Sequence, residues 1–383
     1  MPKNLSFGFK TVFLILFGFS IIFGQKAVPT SPKQTPDQED EVLRVDTELV
    51  SVPTVVTDKT GKPVAKLNAK NFVIFEDGAP QEIENFQTTE TPFEIALLLD
   101  TSGSTRSELG LITRAADAFI KALRPGDKVA IIAFKSETSD GQSEAVVDVL
   151  SDLTDDRAAL SNALSKARTS NGTPFYDALE KIGERVFPAK PKPEERGRRA
   201  IVALTDGVDS TSAIEFADAR AQIAAADLAC YFVQLNTEDT VENRILGNCD
   251  DETAMRFSKT QLRRYQKMLK ARPGTAKPAM EDFCDLGQFE RMAISRSLYK
   301  AARFEMEELA KNTGGKTFPV AELGEAKAAF AQVAQEIGTQ YSLGYYSNNQ
   351  KRDGTFRKIR VELRGLPAGT NIKTREGYTA GKN

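Results

Sequence analysis

One apolar run that ends in a carboxylate constrains this chain more than any other stretch. Residues 93–105 read FEIALLLDTSGST, in which Ile95 to Leu99 is continuous and apolar, and Asp100 stops it. A short unbroken apolar run bounded by turn residues is the pattern of a strand buried on both faces of a sheet. Asp100, Ser102 and Ser104 alternate, so a tight loop brings their oxygens to one point. Carboxylate and hydroxyl oxygens suit a hard cation such as Mg²⁺. The same residues also admit a plainer arrangement, a strand and turn in which Ser104 or Thr105 caps the next helix.

The stretch 93–340 alternates between strand and helix patterns. A helix near 105–123 carries Leu109, Ile112, Ala116, Phe119, Ile120 and Leu123 at helical spacing. Strands follow at 128–134 and 145–150, then a helix near 155–168, the loop TSNGTP and the helix FYDALEKIGERVF. A charged, proline-rich linker precedes the strand AIVALTDG, a helix near 212–226 and the strand ACYFVQL. Later come the helix LYKAARFEMEELAKNTGG, the short strand KTFPV and a helix with Ala326, Phe330, Val333 and Ile337 on one face. Strands separated by helices predict an α/β fold, a doubly wound, mostly parallel sheet with helices on both sides. Residues 237–296 interrupt the pattern with polar, helical text. Their basic segment SKTQLRRYQKMLKAR, with Arg263, Arg264 and Lys267, reads as a solvated face or as an added contact surface.

The flanks are different. Residues 42–92 and 341–383 both look like strands and turns, and each piece alone is too small to bury a core. They are expected to form one small β-sandwich-like module built from both chain ends, with the α/β domain inserted between them. Lys3 and Lys10 precede the apolar run 11–24, which is shorter than the ~20 residues a helix needs to cross a bilayer. Residues 1–24 therefore read as an export signal, with a retained N-terminal anchor as the alternative and the only expected membrane contact. The polar, proline-rich stretch 25–41 reads as a flexible tether. The implied location is secreted, periplasmic or at the cell envelope.

Composition narrows the chemistry. The chain contains no histidine, which excludes Ser-His-Asp and Cys-His arrangements and histidine-ligated zinc. With 51 basic and 53 acidic residues it has no global field to draw in nucleic acid. Of its cysteines, Cys230 lies in a strand and reads as a small apolar residue, whereas Cys249 and Cys284 lie in polar text and could pair in an oxidising compartment.

In a doubly wound sheet, ligands bind at the carboxyl ends of the strands where the strand order reverses. Asp100 ends the first core strand and Asp206, in ALTDG, ends the fourth, so the two carboxylates are expected to meet there. The loop carrying Thr173 can lie over the same edge.

Taken together, Asp100-Thr101-Ser102-Gly103-Ser104, the Gly172-Thr173-Pro174-Phe175-Tyr176-Asp177-Ala178 loop and Thr205-Asp206-Gly207 resemble the von Willebrand factor A (VWA) domain over about 94–340. The flanks, with FVIFEDGAPQEIENF, YSLGYYS and a final REGY, resemble a bacterial secreted subfamily of VWA-related proteins. The resemblance implies a metal-ion-dependent adhesion site in which Ser102, Ser104 and Thr173 offer hydroxyls to Mg²⁺ or Mn²⁺. Asp100 and Asp206 would bind directly or through water. It implies a non-enzymatic module whose protein ligand carries an exposed Asp or Glu. Two other roles are compatible with parts of the same text. One is a structural or assembly protein with a vestigial metal site. The other is a Mg²⁺-dependent hydrolase using Asp100, which would ordinarily need the Asp-x-Asp pattern that serine at position 102 breaks.

Overall fold

The computed structural model describes residues 49–103, 105, 108–139, 142–188, 197–248, 255–270 and 283–381. The expected export signal and tether, Ser104, Cys249 and most of the linker before residue 197 lie outside these residues. The first strands are β1 (Leu49–Thr57), β2 (Phe72–Glu76), β3 (Ala79–Gln81), β4 (Asn85–Gln87) and β5 (Glu94–Leu99). Then come α1 (Leu109–Ala122), β6 (Lys128–Ser139), β7 (Gln142–Thr154), α2 (Arg157–Leu164), α3 (Phe175–Lys181), β8 (Arg199–Thr205), α4 (Phe216–Ala225) and β9 (Ala229–Leu235). They are followed by α5 (Glu238–Ile245), α6 (Lys259–Lys270), α7 (Gln288–Thr313), β10 (Lys316–Val320) and α8 (Ala326–Thr339). The chain closes with β11 (Tyr341–Tyr346), β12 (Phe356–Leu363), β13 (Asn371–Thr374) and β14 (Gly377–Thr379).

The central sheet has the order β10-β9-β8-β5-β6-β7. Strands β5 and β8 are parallel neighbours, with Leu99 beside Leu204, so the switch point falls between the strands that end in Asp100 and Asp206. Both faces of β5 are buried, as its unbroken apolar run requires. Ile95, Leu97 and Leu99 share one core with Ile112 and Phe119 of α1 and Phe330 of α8. Ala96 and Leu98 share the opposite core with Leu179, Ile223 and Met306. Phe119 and Phe330 meet with ring centroids 5.1 Å apart, and truncating either to Ala would cost about 3–5 kcal/mol.

The sheet is mostly parallel, as expected, and its antiparallel member is β7, which follows β6 with no helix between them and pairs with it from Val129↔Thr154 to Ser139↔Gln142. A connection this short can only make a hairpin, because a parallel return needs a crossover of a dozen residues or more. Helix α7 also begins earlier than its apolar pattern suggests, at Gln288, and runs unbroken to Thr313, where Gly314 ends it in the left-handed conformation (φ 80°).

The two chain ends form paired sheets, β13-β1-β11-β4 and β14-β12-β2-β3, each mixing N- and C-terminal strands. Val52, Val56, Ile74, Tyr341, Leu343, Tyr345, Ile359 and Val361 fill the core between them. The chain enters the central sheet through residues 88–93 and leaves it after α8. Two arginines hold both crossings. Arg198 is fully buried and donates to Gln340 O at 2.8 Å, to Thr91 O at 2.7 Å and to Thr88 O. Arg124 donates to Thr91 O at 3.3 Å and Gly338 O at 3.4 Å. Burial, with Arg124 nearby, pulls the Arg198 guanidinium down to about 9.

Helices α5, α6 and the start of α7 are not a loose surface appendage. Val241, Ile245, Phe257, Leu262, Phe283, Leu286, Ile294, Leu298 and Tyr299 form a separate small core. At its surface the exposed Cys284 is disulfide-bonded, while Cys230 is free and buried as expected. The basic helix is also less solvated than its charge suggests. Arg264 is buried and paired with Asp209, and Lys267 pairs with Glu215 at 2.6 Å.

Candidate functional site at the sheet edge

Where β5 ends, the parallel ladder continues one residue further, with Asp100 N donating to Leu204 O at 2.9 Å. The chain then turns back on the Asp100 carboxylate. Its Oδ1 accepts Ser102 N at 3.0 Å, and its Oδ2 accepts Thr205 Oγ1 at 2.7 Å. The Ser102 side chain also hydrogen-bonds this carboxylate. Thr101 is anchored to β6, donating to Phe134 O at 2.7 Å and accepting from Phe134 N at 3.1 Å. Thr105 is not a helix cap. Its hydroxyl reaches back to Asp100 O and Ser102 O, both at 3.1 Å, and α1 starts only at Leu109, after a residue that makes no side-chain cap. The plainer strand-turn-cap arrangement is therefore corrected for Thr105, because its hydroxyl holds the loop closed.

Two further loops complete the edge. Ser170 N donates to Thr101 O at 2.8 Å, tying the Thr173 loop to the first one. Thr173 N donates to Ser210 Oγ at 2.8 Å and Ser210 N returns to Thr173 O at 2.9 Å, tying it to the loop after β8. The Thr173 hydroxyl itself makes no hydrogen bond among the described residues. In the third loop Asp206 Oδ1 accepts Val208 N at 2.9 Å. Gly207 then takes φ +74°, and a Cβ there would sit 2.6 Å from Met306 Cε.

Four of the five expected residues, Asp100, Ser102, Thr173 and Asp206, are thus buried on three loops clasped together at one edge. Ser104 lies outside the described residues. Sequence reading missed the other side of the edge. Asp206 Oδ2 accepts Thr237 Oγ1 and, at 3.5 Å, Tyr299 Oη, and these two hydroxyls lie 2.7 Å from each other. Thr237 immediately precedes α5 and Tyr299 lies on α7, so the inserted helices wall the site. Arg244 of α5 also reaches Gly103 O at 3.5 Å. Nothing in the local text marks Thr237 or Tyr299, because each is brought in by the packing of the insertion.

Burial dominates the electrostatics of both carboxylates. Burial raises the Asp100 carboxyl, and the negative charge of Asp209 adds to the effect. Burial, then the negative charge of Asp100, pushes Asp206 up to about 7. Neither forms an ion pair with Lys or Arg among the described residues. Two buried carboxylates side by side without a cation are costly, and a divalent ion is the natural counter-charge. The donors are hard oxygens, two carboxylates supplemented by hydroxyls, which fits Mg²⁺ or Mn²⁺ retaining water. No group of three or more His, Cys, Asp or Glu suited to a metal occurs among the described residues.

A doubly wound sheet with an oxygen-rich triad of loops at its switch point defines a class of α/β domains that present a ligand-binding edge. Residues 95–208 match the family model described as von Willebrand factor type A domain, and the chain carries a domain of that family there. No curated protein matches the chain. Among solved structures, it is similar to von Willebrand factor type A from Catenulispora acidiphila (12% identity, 82% of this chain and 74% of that one, TM-score 0.39). It is also similar to proximal thread matrix protein 1 from the mussel byssus (10% identity, 64% of this chain and 48% of that one, TM-score 0.39). A third is an aerotolerance-related membrane protein from Bacteroides fragilis (15% identity, 64% of this chain and 99% of that one, TM-score 0.34). The chain thus spans about half the length of the mussel protein.

Proposed function

We propose that this chain is a metal-ion-dependent adhesion or protein-binding module acting outside the cytoplasm, not an enzyme. The single observation that carries this reading is the buried Asp100–Asp206 pair, flanked by Ser102 and Thr173 and without a basic partner among the described residues. Asp100, Ser102, Thr173 and Asp206, with Ser104 from the same motif, would hold Mg²⁺ or Mn²⁺. A bound cation would neutralise the pair and offer an open coordination position to an Asp or Glu of a protein partner. The protein's own part is to fix the geometry. Thr205 and the Ser102 amide orient Asp100, Thr237 and Tyr299 orient Asp206, and Thr105 closes the loop. The absence of histidine and the serine at position 102 support binding over catalysis. The basic start followed by the apolar run 11–24 supports export.

Panning random displayed peptides on the immobilised chain in Mg²⁺ tests this reading. Enrichment of sequences with an exposed Asp or Glu is expected, with binding lost in chelator and in Asp100→Ala. Enrichment that survives both would contradict it.

A further inference from the structure

Helices α4, α6 and α7 and the loop after β8 enclose a cleft of about 180 Å³, lined by Tyr176, Phe216, Met268, Leu298, Ala301 and Glu305 among others. It lies beyond Gly207, and none of the expected metal ligands faces it. The acids around it can be paired off. Asp209 pairs with Arg264, Glu215 with Lys267 at 2.6 Å, and Glu308 with Arg220 at 2.5 Å. Glu305 pairs with no cation among the described residues. Its Oε2 accepts Tyr176 Oη at 2.5 Å, and its Oε1 accepts no hydrogen bond among those residues. Arg264, which also lines the cleft, donates to Asp209 and to Ile214 O at 3.0 Å, with its guanidinium 4.5 Å over the Tyr176 ring, and its charge partly offsets the effect of burial on Glu305. The cleft therefore holds a carboxylate with one unengaged oxygen, between the apolar side chains of Phe216, Met268, Leu298 and Ala301 on one side and Arg264 and Lys267, each paired with another acid, on the other. Burial raises the Glu305 carboxyl to about 6, against the Tyr176 hydrogen bond, which still leaves it mostly ionised at neutral pH.

We propose that this cleft binds an organic cation on an aliphatic stem, an alkylammonium or alkylguanidinium group of lysine or arginine side-chain size. Its volume falls below the roughly 300–1,000 Å³ of sites for drug-sized molecules, so a side-chain-sized group suits it. The cationic head meets Glu305 Oε1, a charge-assisted contact, and the stem lies along Met268, Leu298 and Ala301. The site does not depend on the metal edge and stands even if Asp100 and Asp206 hold no cation.

The test is a titration of n-butylammonium into the isotopically labelled full chain at neutral pH, followed by amide NMR shifts. Saturable shifts centred on the cleft are expected. They should weaken about tenfold or more in Glu305→Gln and for n-pentanol, which is of similar length and uncharged. Ala301→Leu, which fills the cleft from a half-buried position on α7, should weaken binding without touching the carboxylate. Nα-acetyl-lysine methylamide separates the two sources of such a cation. Tighter binding than n-butylammonium assigns the cleft to a polypeptide side chain, and equal or weaker binding assigns it to a free amine. Absence of saturation in the wild type, equal affinity in Glu305→Gln, or equal affinity for n-pentanol would overturn the proposal.

Discussion

Thr205 donates its hydroxyl to Asp100 Oδ2 at 2.7 Å, across the line where the two halves of the central sheet meet. This bond joins the two carboxylate-bearing loops. Thr205 is the neighbour of Asp206, so the residue that orients one carboxylate also delivers the other. The consequence is a pair of acids held close together and out of water before any cation arrives.

The pair makes the metal-free protein sensitive to pH in a defined direction. Asp206 is raised to about 7 from its ordinary 3.8, so its folded form binds a proton more tightly than the unfolded chain does. Stability is fully present below the unfolded value and is lost as pH rises through about 7. The loss is on the order of a few kcal/mol, because each tenfold gain in proton affinity is worth about 1.4 kcal/mol. Thermal unfolding in chelator from pH 5 to 8 should show Tm falling with pH. In Asp206→Asn that fall should flatten, whereas an unchanged fall would place the sensitivity elsewhere.

Thr237 and Tyr299 act on Asp206 from the inserted helices. Groups that orient metal ligands typically matter by 10–100-fold in affinity. Thr237→Val and Tyr299→Phe are each expected to weaken Mg²⁺ binding about tenfold, with Thr237→Ser close to wild type. Isothermal titration of the three variants checks this. Wild-type affinity in Thr237→Val would show that the wall does not position the carboxylate.

Arg198 satisfies backbone carbonyls on both chain crossings, and its removal strands them. Arg198→Ala should therefore destabilise the fold by roughly 3 kcal/mol in chemical denaturation. Arg360→Ala, at an exposed position paired with Glu362, should cost well under 1 kcal/mol.

Arg264 and Asp209 form a buried ion pair under α6. Removing one partner leaves the other charge uncompensated, and Arg264→Ala is expected to cost about 3–5 kcal/mol in the same assay. Arg263→Glu, one position along the helix, is expected to leave stability nearly unchanged. This split separates a structural arginine from a solvated one within a single basic run.

Much of this was legible in the sequence because strong local signals agreed with the global pattern. The runs ending in Asp100 and Asp206 fixed two adjacent strands and their shared edge. The matching strand text at both ends gave the paired sheets. Other features depended on partners that local text does not reveal. The direction of β7 was set by its connection to β6, not by its own apolar residues. Thr105 looked like a cap because its type suits one, yet its hydroxyl was needed inside the loop. The basic run around Arg264 looked solvated because its apolar face, Leu262 with Tyr265 and Met268, is interleaved with charge. Thr237 and Tyr299 carry no motif, since only tertiary packing brings them to Asp206.

The most direct measurement is a calorimetric titration of Mg²⁺ and Mn²⁺ into the metal-free chain, with Asp100→Ala and Asp206→Ala beside it. One-site binding in the wild type, lost in both variants while each stays folded by circular dichroism, is the predicted result. Binding that persists in both variants, or no binding by the folded wild type, would contradict a metal site built on this pair.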